Sequence, residues 1–158
     1  MSKAMFNAML KTMGCAFFVA LLAAPAIAQQ SCAVTVESTD QMQYSIANID
    51  VSKKCKEFTI TLKHVGKLPK AAMGHNLVVA KASDMAAVGT DGATAGLPND
   101  YIKPKDARVL AQTKMIGGGE SSVAKLSVTG MSEKDSYVFF CTFPGHSTIM
   151  KGTLKVTG

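Results

Sequence analysis

Apolar and polar residues alternate along much of the chain with a period of two, which predicts short β-strands. Seven segments carry this pattern: Ala33–Glu37, Phe58–Leu62, Leu77–Val79, Arg108–Ala111, Val123–Val128, Tyr137–Cys141 and Leu154–Val156. Turn-forming residues separate several of them, at Gly66–Pro69, Gly117–Gly119 and Gly130–Asp135. Many short strands between turn signals are typical of a β-sandwich or barrel.

The alternation is lost between the third and fourth of these segments, where we expect a helix. The helix is predicted from Met85–Val88 onward, with Ser83-Asp84 as its N-cap. It should end at one of two glycines, Gly92 or Gly96. The following segment, Leu97–Asp106, contains two prolines and is predicted to be an irregular return loop. The pattern therefore predicts an all-β domain with one short helix.

The first 28 residues have the pattern of a secretory signal peptide. Two lysines precede an apolar segment, residues 15–24, which is too short to span a membrane. The small residues of Ala26–Ala28 suit cleavage after Ala28, which leaves residues 29–158 as a single domain. A lipoprotein anchor at Cys15 is the alternative, but this cysteine precedes the apolar core instead of following it.

The charge pattern argues against one class of function. The chain has 17 Lys and Arg against 11 Asp and Glu, a formal net charge of +6. Loss of Lys3 and Lys11 with the predicted signal peptide leaves +4. The remaining basic residues are scattered singly or in pairs such as Lys53-Lys54, without interleaved aromatic residues. Nucleic-acid binding is therefore not expected.

Three residues with metal-binding side chains lie within ten positions of one another: Cys141, His146 and Met150. The Pro144-Gly145 turn signal between them can fold His146 back towards the sulfur. A second imidazole, His75, lies far upstream after a glycine that lets the backbone approach a metal closely. Two imidazoles and a thiolate, with a weak axial thioether, are the ligands typical of electron-transfer copper.

From the residues alone, two alternatives to this copper site stay open. A lone histidine at the position of His75 is more often structural, and Cys141 could be buried without a ligand role. The third histidine, His64, shares strand parity with Ile60 and Leu62, so we expect a buried structural histidine near the site. Five other methionines have no chelating spacing and are interpreted as core or surface residues: Met42, Met73, Met85, Met115 and Met131.

The order and spacing of short segments over nearly the whole predicted mature chain resemble the azurins, a family of periplasmic blue-copper proteins of Gram-negative bacteria. The similar segments are Cys32, Asp40–Gln43, Lys54–Thr59, Leu68–Lys70, Met73–Asn76, Thr90–Gly92, Lys114–Gly117 and Cys141–Leu154. The resemblance implies a Greek-key, cupredoxin-like fold with the helix as a flap outside the sandwich. It also implies a ligand set for copper, with His75, Cys141 and His146 as ligands and Met150 and the Gly74 carbonyl as long axial contacts.

The same resemblance implies further roles. Azurins use the positions of Asn76, Thr142 and Phe143 to donate N–H groups to the thiolate and to tie the ligand loops together. Their hydrophobic docking patch corresponds to Met42, Leu68, Met73, Phe143, Pro144 and Ile149. In azurins the position of His64 is associated with slow, pH-linked local change. One departure is Leu77, where many azurins have a core tryptophan, since this chain contains no Trp.

Three cysteines remain after the predicted cleavage, an odd number for an oxidising compartment: Cys32, Cys55 and Cys141. Pairing Cys32 with Cys55 leaves Cys141 as the one free thiolate, as metal ligation requires. We therefore expect a disulfide between Cys32 and Cys55.

The expected ligand set leaves no open metal position for a substrate, which argues against an enzyme. We expect a monomeric electron carrier that cycles one copper between Cu(I) and Cu(II). The expected partners are c-type cytochromes, periplasmic dehydrogenases or a nitrite reductase. The alternative is a periplasmic copper-buffering protein, but the chain lacks the Met-rich or His-rich clusters typical of copper stores.

Overall fold

Within residues 31–158, which the computed structural model describes, nine strands form two sheets. The predicted signal peptide and its cleavage site lie outside these residues. The strands are β1 (Ala33–Thr39), β2 (Gln43–Tyr44), β3 (Asn48–Ser52), β4 (Glu57–His64), β5 (Val78–Lys81), β6 (Ala111–Gln112), β7 (Ser121–Ser127), β8 (Tyr137–Phe140) and β9 (Lys151–Thr157). The α-helices are α1 (Lys70–Met73) and α2 (Met85–Ala95).

The two sheets enclose one main core. Their strand orders are β2-β1-β4-β7 and β3-β9-β8-β5-β6. The pairs β1–β4 and β3–β9 are parallel, and the remaining pairs are antiparallel. Alternate residues of β4, among them Ile60 and Leu62, belong to the same buried cluster as Phe139 of β8 and Leu154 of β9. The prediction of an all-β sandwich is therefore confirmed.

Helix α2 lies between β5 and β6 and forms the predicted flap. It ends at Gly96, whose φ of 73° is a left-handed conformation that favours glycine. Its Val88 packs in a second apolar cluster with Phe140 of β8. A Cβ at the buried Gly92 would lie 2.1 Å from the Tyr101 carbonyl oxygen, so the helix and the return loop are in close backbone contact.

The predicted N-cap of α2 is confirmed in position, at Asp84, but the capping interaction that it implies is wrong. Asp84 precedes the helix, but its side chain makes no capping hydrogen bond. The reason is local, because residues Ala82–Asp84 already form a 3-10 turn that runs directly into the helix. The Asp84 backbone is therefore in the right-handed helical region, whereas a capping residue is normally extended.

The predicted strand over Arg108–Ala111 is also wrong for most of its length, since β6 begins at Ala111. The Arg108 guanidinium lies 2.6 Å from a carboxylate oxygen of Asp106 and 2.6 Å from one of Asp91. Because Asp91 belongs to α2, this pair of contacts ties the flap to the loop that returns to the sheet.

Cys32 and Cys55 form the predicted disulfide, with their Cα atoms 5.7 Å apart. The bond joins the start of β1 to the loop before β4, across a sequence separation of 23 residues. Among residues 31–158 it leaves Cys141 as a free cysteine, which is buried. The disulfide and the free thiol therefore occupy separate places in the fold.

A Cys32→Ser, Cys55→Ser double variant should lose about 2 to 5 kcal/mol of unfolding free energy, since a disulfide acts chiefly by restricting the unfolded chain. Urea unfolding measures this loss. The absorbance of the copper-loaded form should not change. Three alkylated cysteines in the unreduced, metal-free mature protein, counted by intact mass, would refute the disulfide.

Arg108→Met should lower the unfolding free energy at neutral pH, because it removes the charge-assisted hydrogen bonds to Asp91 and Asp106. The hydrogen bond from Arg108 holds the pKa of Asp106 down at about 2, from an ordinary 3.8. The stability that this pair contributes is therefore fully present at pH values above 3.8 and is lost as the pH falls through about 2. Urea titrations at a series of pH values should show the wild-type advantage shrinking over this range. An advantage independent of pH would contradict the assignment.

Candidate metal centre

Three buried side chains bring one sulfur and two imidazole nitrogens together. Cys141 Sγ lies 4.0 Å from His75 Nδ1 and 3.7 Å from His146 Nδ1. The three ligand atoms all lie within 4.8 Å of one another. His75 and Cys141 have no solvent exposure, and His146 is 4% exposed. Of the three, His146 is thus the residue that reaches solvent.

These separations fit one small metal ion. For zinc, metal–sulfur and metal–nitrogen distances of about 2.3 and 2.0 Å in a trigonal plane separate the sulfur from each nitrogen by about 3.7 Å. The observed 3.7 and 4.0 Å agree within a few tenths of an ångström. One thiolate with two imidazoles is a donor set that favours copper among biological metals.

The loop between β8 and β9 supplies two of these donors. Cys141 directly follows β8, Met150 directly precedes β9, and the Cys141 N–H donates to the Met150 carbonyl over 3.0 Å. Between them, Phe143–His146 form a turn closed by a 3.0 Å bond from the His146 N–H to the Phe143 carbonyl. Pro144 and Gly145, with φ 83° and ψ −21° at the glycine, occupy the central positions of a type II turn. This turn brings His146 back to the sulfur.

His75 is held by both its backbone and its ring. Its N–H and C=O pair with Ile116 over 2.9 and 2.8 Å. Its Nε2 lies 2.8 Å from the Thr39 carbonyl oxygen, and because that oxygen can only accept, Nε2 carries the proton. Nδ1 is thereby left with a free lone pair on the side of Cys141.

Desolvation keeps both imidazoles neutral. It lowers the pKa of His75 to about 4 and also lowers the pKa of His146. Burial likewise raises the pKa of the Cys141 thiol to about 11, opposed by backbone N–H groups of Asn76 and Phe143. A bound cation reverses the balance at sulfur and favours the thiolate, to which these N–H groups can donate.

The Asn76 side chain links the two ligand-bearing segments. Its Nδ2 donates to Thr142 Oγ1 over 2.7 Å, and its Oδ1 accepts the Thr142 N–H over 2.9 Å. Asn76 follows His75 and Thr142 follows Cys141, so this amide bridge restrains the spacing of the two donors. Asn76, Thr142 and Phe143 thus lie beside the donors, and their tuning roles stay predictions.

Gly74 and Met150, the predicted axial contacts, flank the cluster in sequence. A Cβ at Gly74 would lie 2.4 Å from the Lys70 carbonyl oxygen, so the close approach of α1 requires glycine here. Met150 is 1% exposed, and its N–H donates to the His146 carbonyl over 2.8 Å. The assignment of both as axial ligands stays a prediction.

His64 lies against the site but outside the donor group. It is 2% exposed, and its ring stacks on that of His75 with a centroid distance of 4.6 Å. Its Nδ1 accepts the Gly66 N–H, so its Nε2 donates to the Met73 carbonyl over 3.0 Å. Both ring nitrogens are therefore used within the protein, as expected of a structural histidine.

The six residues of the predicted docking patch are all at least partly exposed, among them Ile149 at 59% and Leu68 at 42%. The Asp40 carboxylate accepts the N–H groups of Lys67 and Leu68 over 2.9 and 3.2 Å. It thereby holds Leu68 beside the turn that carries Met42. These two hydrogen bonds lower the pKa of Asp40, and the one from the Lys67 N–H has the larger effect. Sequence reasoning gave no role to Asp40 or to Thr39.

Comparisons with known proteins agree with this geometry. The family model of copper binding proteins of the plastocyanin/azurin family matches residues 30–157. The azurin of Alcaligenes faecalis is 56% identical over 126 residues, 80% of this chain and 98% of that protein. The azurin of Pseudomonas aeruginosa PAO1 is 49% identical over 148 residues, 94% of this chain and 99% of that protein.

A solved structure is also similar. It is an azurin from the obligate methylotroph Methylomonas sp. strain J, 45% identical, with a TM-score of 0.79 over 82% of this chain and 100% of that chain. The chain therefore belongs to the plastocyanin/azurin family of copper-binding proteins, and within it groups with the azurins.

Cys141→Ser should abolish the intense visible sulfur-to-copper charge-transfer band and the narrow copper hyperfine splitting expected of the copper-loaded protein. Absorption and electron paramagnetic resonance spectra measure both. Met150→Leu is the matched comparison at the other end of the loop. It should keep the colour and raise the reduction potential, because losing a weak axial donor favours Cu(I). A Cys141→Ser protein that stayed blue would show that the sulfur is not a ligand.

Proposed function

We propose that this protein is a periplasmic electron carrier that exchanges single electrons with redox partners at one bound copper ion. The observation that carries this function is the buried cluster of Cys141, His75 and His146, whose ligand atoms lie within 4.8 Å of one another. Family membership and this cluster define a copper-binding electron carrier. When bound, copper supplies the one-electron couple between Cu(I) and Cu(II).

The residues around the donors keep their positions fixed. Thr39 holds the His75 ring, the Phe143–His146 turn holds His146, and the Asn76 side chain bridges to Thr142. Cu(I) and Cu(II) prefer different geometries when unconstrained, so donors that cannot rearrange reduce the structural change on electron transfer. The same rigidity favours retention of the metal over rapid exchange, which a copper buffer would need.

The proposed ligand set also excludes a catalytic role. With Met150 and the Gly74 carbonyl as further contacts, the ligand set would leave no coordination position for a substrate or an activated water. The protein is accordingly a carrier and not an enzyme.

Electrons enter and leave through the apolar surface beside His146. The Phe143 ring lies 4.5 Å from the His146 ring, and the exposed Ile149 and Pro144 flank that histidine. Small apolar surfaces suit brief encounters, and redox complexes have some of the smallest interfaces known. The proposed partners are c-type cytochromes, periplasmic dehydrogenases or a nitrite reductase.

Two features support the proposed periplasmic location. The first 28 residues read as a secretory signal, and the Cys32–Cys55 disulfide suits an oxidising compartment. Within residues 31–158, none of the helices has the length and apolar character needed to cross a membrane.

Leu68→Lys should slow electron transfer with partners at least about tenfold, because an unpaired charge would be buried at the interface. Leu110→Lys is the matched control, since Leu110 is similarly exposed (37% against 42%) but lies in a cleft with Tyr137, at the opposite end of β8 from Cys141. Copper content and colour should stay the same in both variants.

Two rates test this surface: the second-order rate with a purified periplasmic cytochrome, and the self-exchange rate from NMR line broadening. Unchanged rates for Leu68→Lys, or equal slowing by Leu110→Lys, would contradict the docking surface. Wild-type protein that exchanged electrons with no periplasmic redox protein would favour copper buffering instead.

A further inference from the structure

The Tyr44 hydroxyl donates a hydrogen bond of 2.5 Å to the Asn76 carbonyl, across 32 positions of sequence. Tyr44 lies in β2, and its ring packs against that of Phe139 at a centroid distance of 5.5 Å. Burial, and secondarily the nearby Cys141, raises the pKa of this hydroxyl well above its ordinary value. The hydroxyl therefore keeps its proton and acts as a donor over the whole physiological pH range.

Asn76 is the residue that links the two ligand-bearing segments, and its side chain is fully engaged. In addition to its two bonds with Thr142, its Nδ2 donates to the Asp100 carbonyl over 2.9 Å. These contacts hold the end of the side chain. The Tyr44 bond holds the peptide group that follows the same residue, so it restrains the backbone from which the amide bridge projects.

Tyr44 also belongs to a hairpin that contacts the neighbouring ligand. β1 and β2 pair through Thr39 and Gln43, and the Thr39 carbonyl accepts from His75 Nε2 over 2.8 Å. The hairpin thus binds the His75–Asn76 dipeptide at two places, a ring nitrogen of the first residue and the carbonyl of the second. Two attachment points fix both the position and the rotation of a peptide segment, which one cannot do.

We propose that Tyr44 is a positioning residue for the metal centre, whose hydroxyl fixes the Asn76 peptide and, through it, His75 and the amide bridge to Thr142. The inference rests on the proposed function in that His75 is taken as a copper ligand. It assigns a specific task to β2, which contributes only two residues to its sheet.

Tyr44→Phe tests this role, because it removes the hydroxyl and keeps the ring that packs on Phe139. Tyr137→Phe is the matched control. Its hydroxyl accepts the Ser132 N–H over 3.0 Å and donates to Asp135 over 3.2 Å. Tyr137 lies at the other end of β8, four residues or about 13 Å of strand from Cys141. Both variants lose a tyrosine hydroxyl that is hydrogen-bonded within the fold, but only Tyr44→Phe loses one close to the metal-binding side chains.

The first readout is the rate of copper release to an excess of chelator, which is monitored as the loss of the visible absorption band. Tyr44→Phe should release copper about fivefold faster than wild type, the size expected from one partly buried hydrogen bond. Its copper hyperfine splitting should also change. Tyr137→Phe should match wild type in both measurements.

The second readout uses the copper-free protein and amide hydrogen exchange. The N–H groups of His75, Leu77 and Ile116 are all hydrogen-bonded near the Asn76 peptide, so their exchange can be followed. Tyr44→Phe should speed their exchange several-fold relative to amides in β4, and Tyr137→Phe should not.

Equal behaviour of the two variants in both readouts would overturn the proposal. Failure of the proposed copper site, on which the inference rests, gives a different result, because wild-type protein would then show no blue band, and failure of electron transfer alone would leave both readouts unchanged. In that case exchange in the copper-free protein still decides whether Tyr44 holds the Asn76 peptide.

Discussion

The hydrogen bonds between the Asn76 side chain and Thr142 join two chain segments that lie 66 residues apart. Each segment presents a metal-binding side chain one residue earlier, so the amide bridge restrains the distance between the His75 nitrogen and the Cys141 sulfur. Asp100 fixes the same amide from the flap side. The protein, and not the metal, therefore sets the spacing of the donors, as suits an ion that must change oxidation state without changing its surroundings.

Desolvation is the second constraint on the site. The core that stabilises the sandwich also encloses the donors, and it favours their uncharged forms: a thiol with a pKa of about 11 and an imidazole with a pKa of about 4. Without a metal, the cluster therefore places no net charge in the interior. A cation that enters makes the thiolate favourable, so the negative charge of the thiolate and the positive charge of the metal ion appear in the interior together.

Alternation identified β4, β7 and β9, because their buried residues recur at every second position. It missed β3, whose five residues contain only two apolar side chains, and the single-turn α1. The grouping of Cys141, His146 and Met150 could be predicted from the sequence, because these residues lie in one short loop. The contacts of Thr39, Tyr44 and Asp100 could not be predicted, since they join residues 36, 32 and 24 positions apart and depend on how the two sheets pack together.

The flap lies outside both sheets, and excursions of this kind usually tolerate changes in length and composition. Here that tolerance should end at Asp100, whose left-handed backbone, with φ 55°, supplies a carbonyl to Asn76 and a carboxylate to the Met115 N–H. Ala87 of α2 is exposed, and such a position can diverge or carry a fused peptide, whereas Ala86 and Ala93 line a cleft with Phe143 and Pro144. A grafted flap remains compatible with the metal centre only if it delivers the chain into residues 96–101 unchanged.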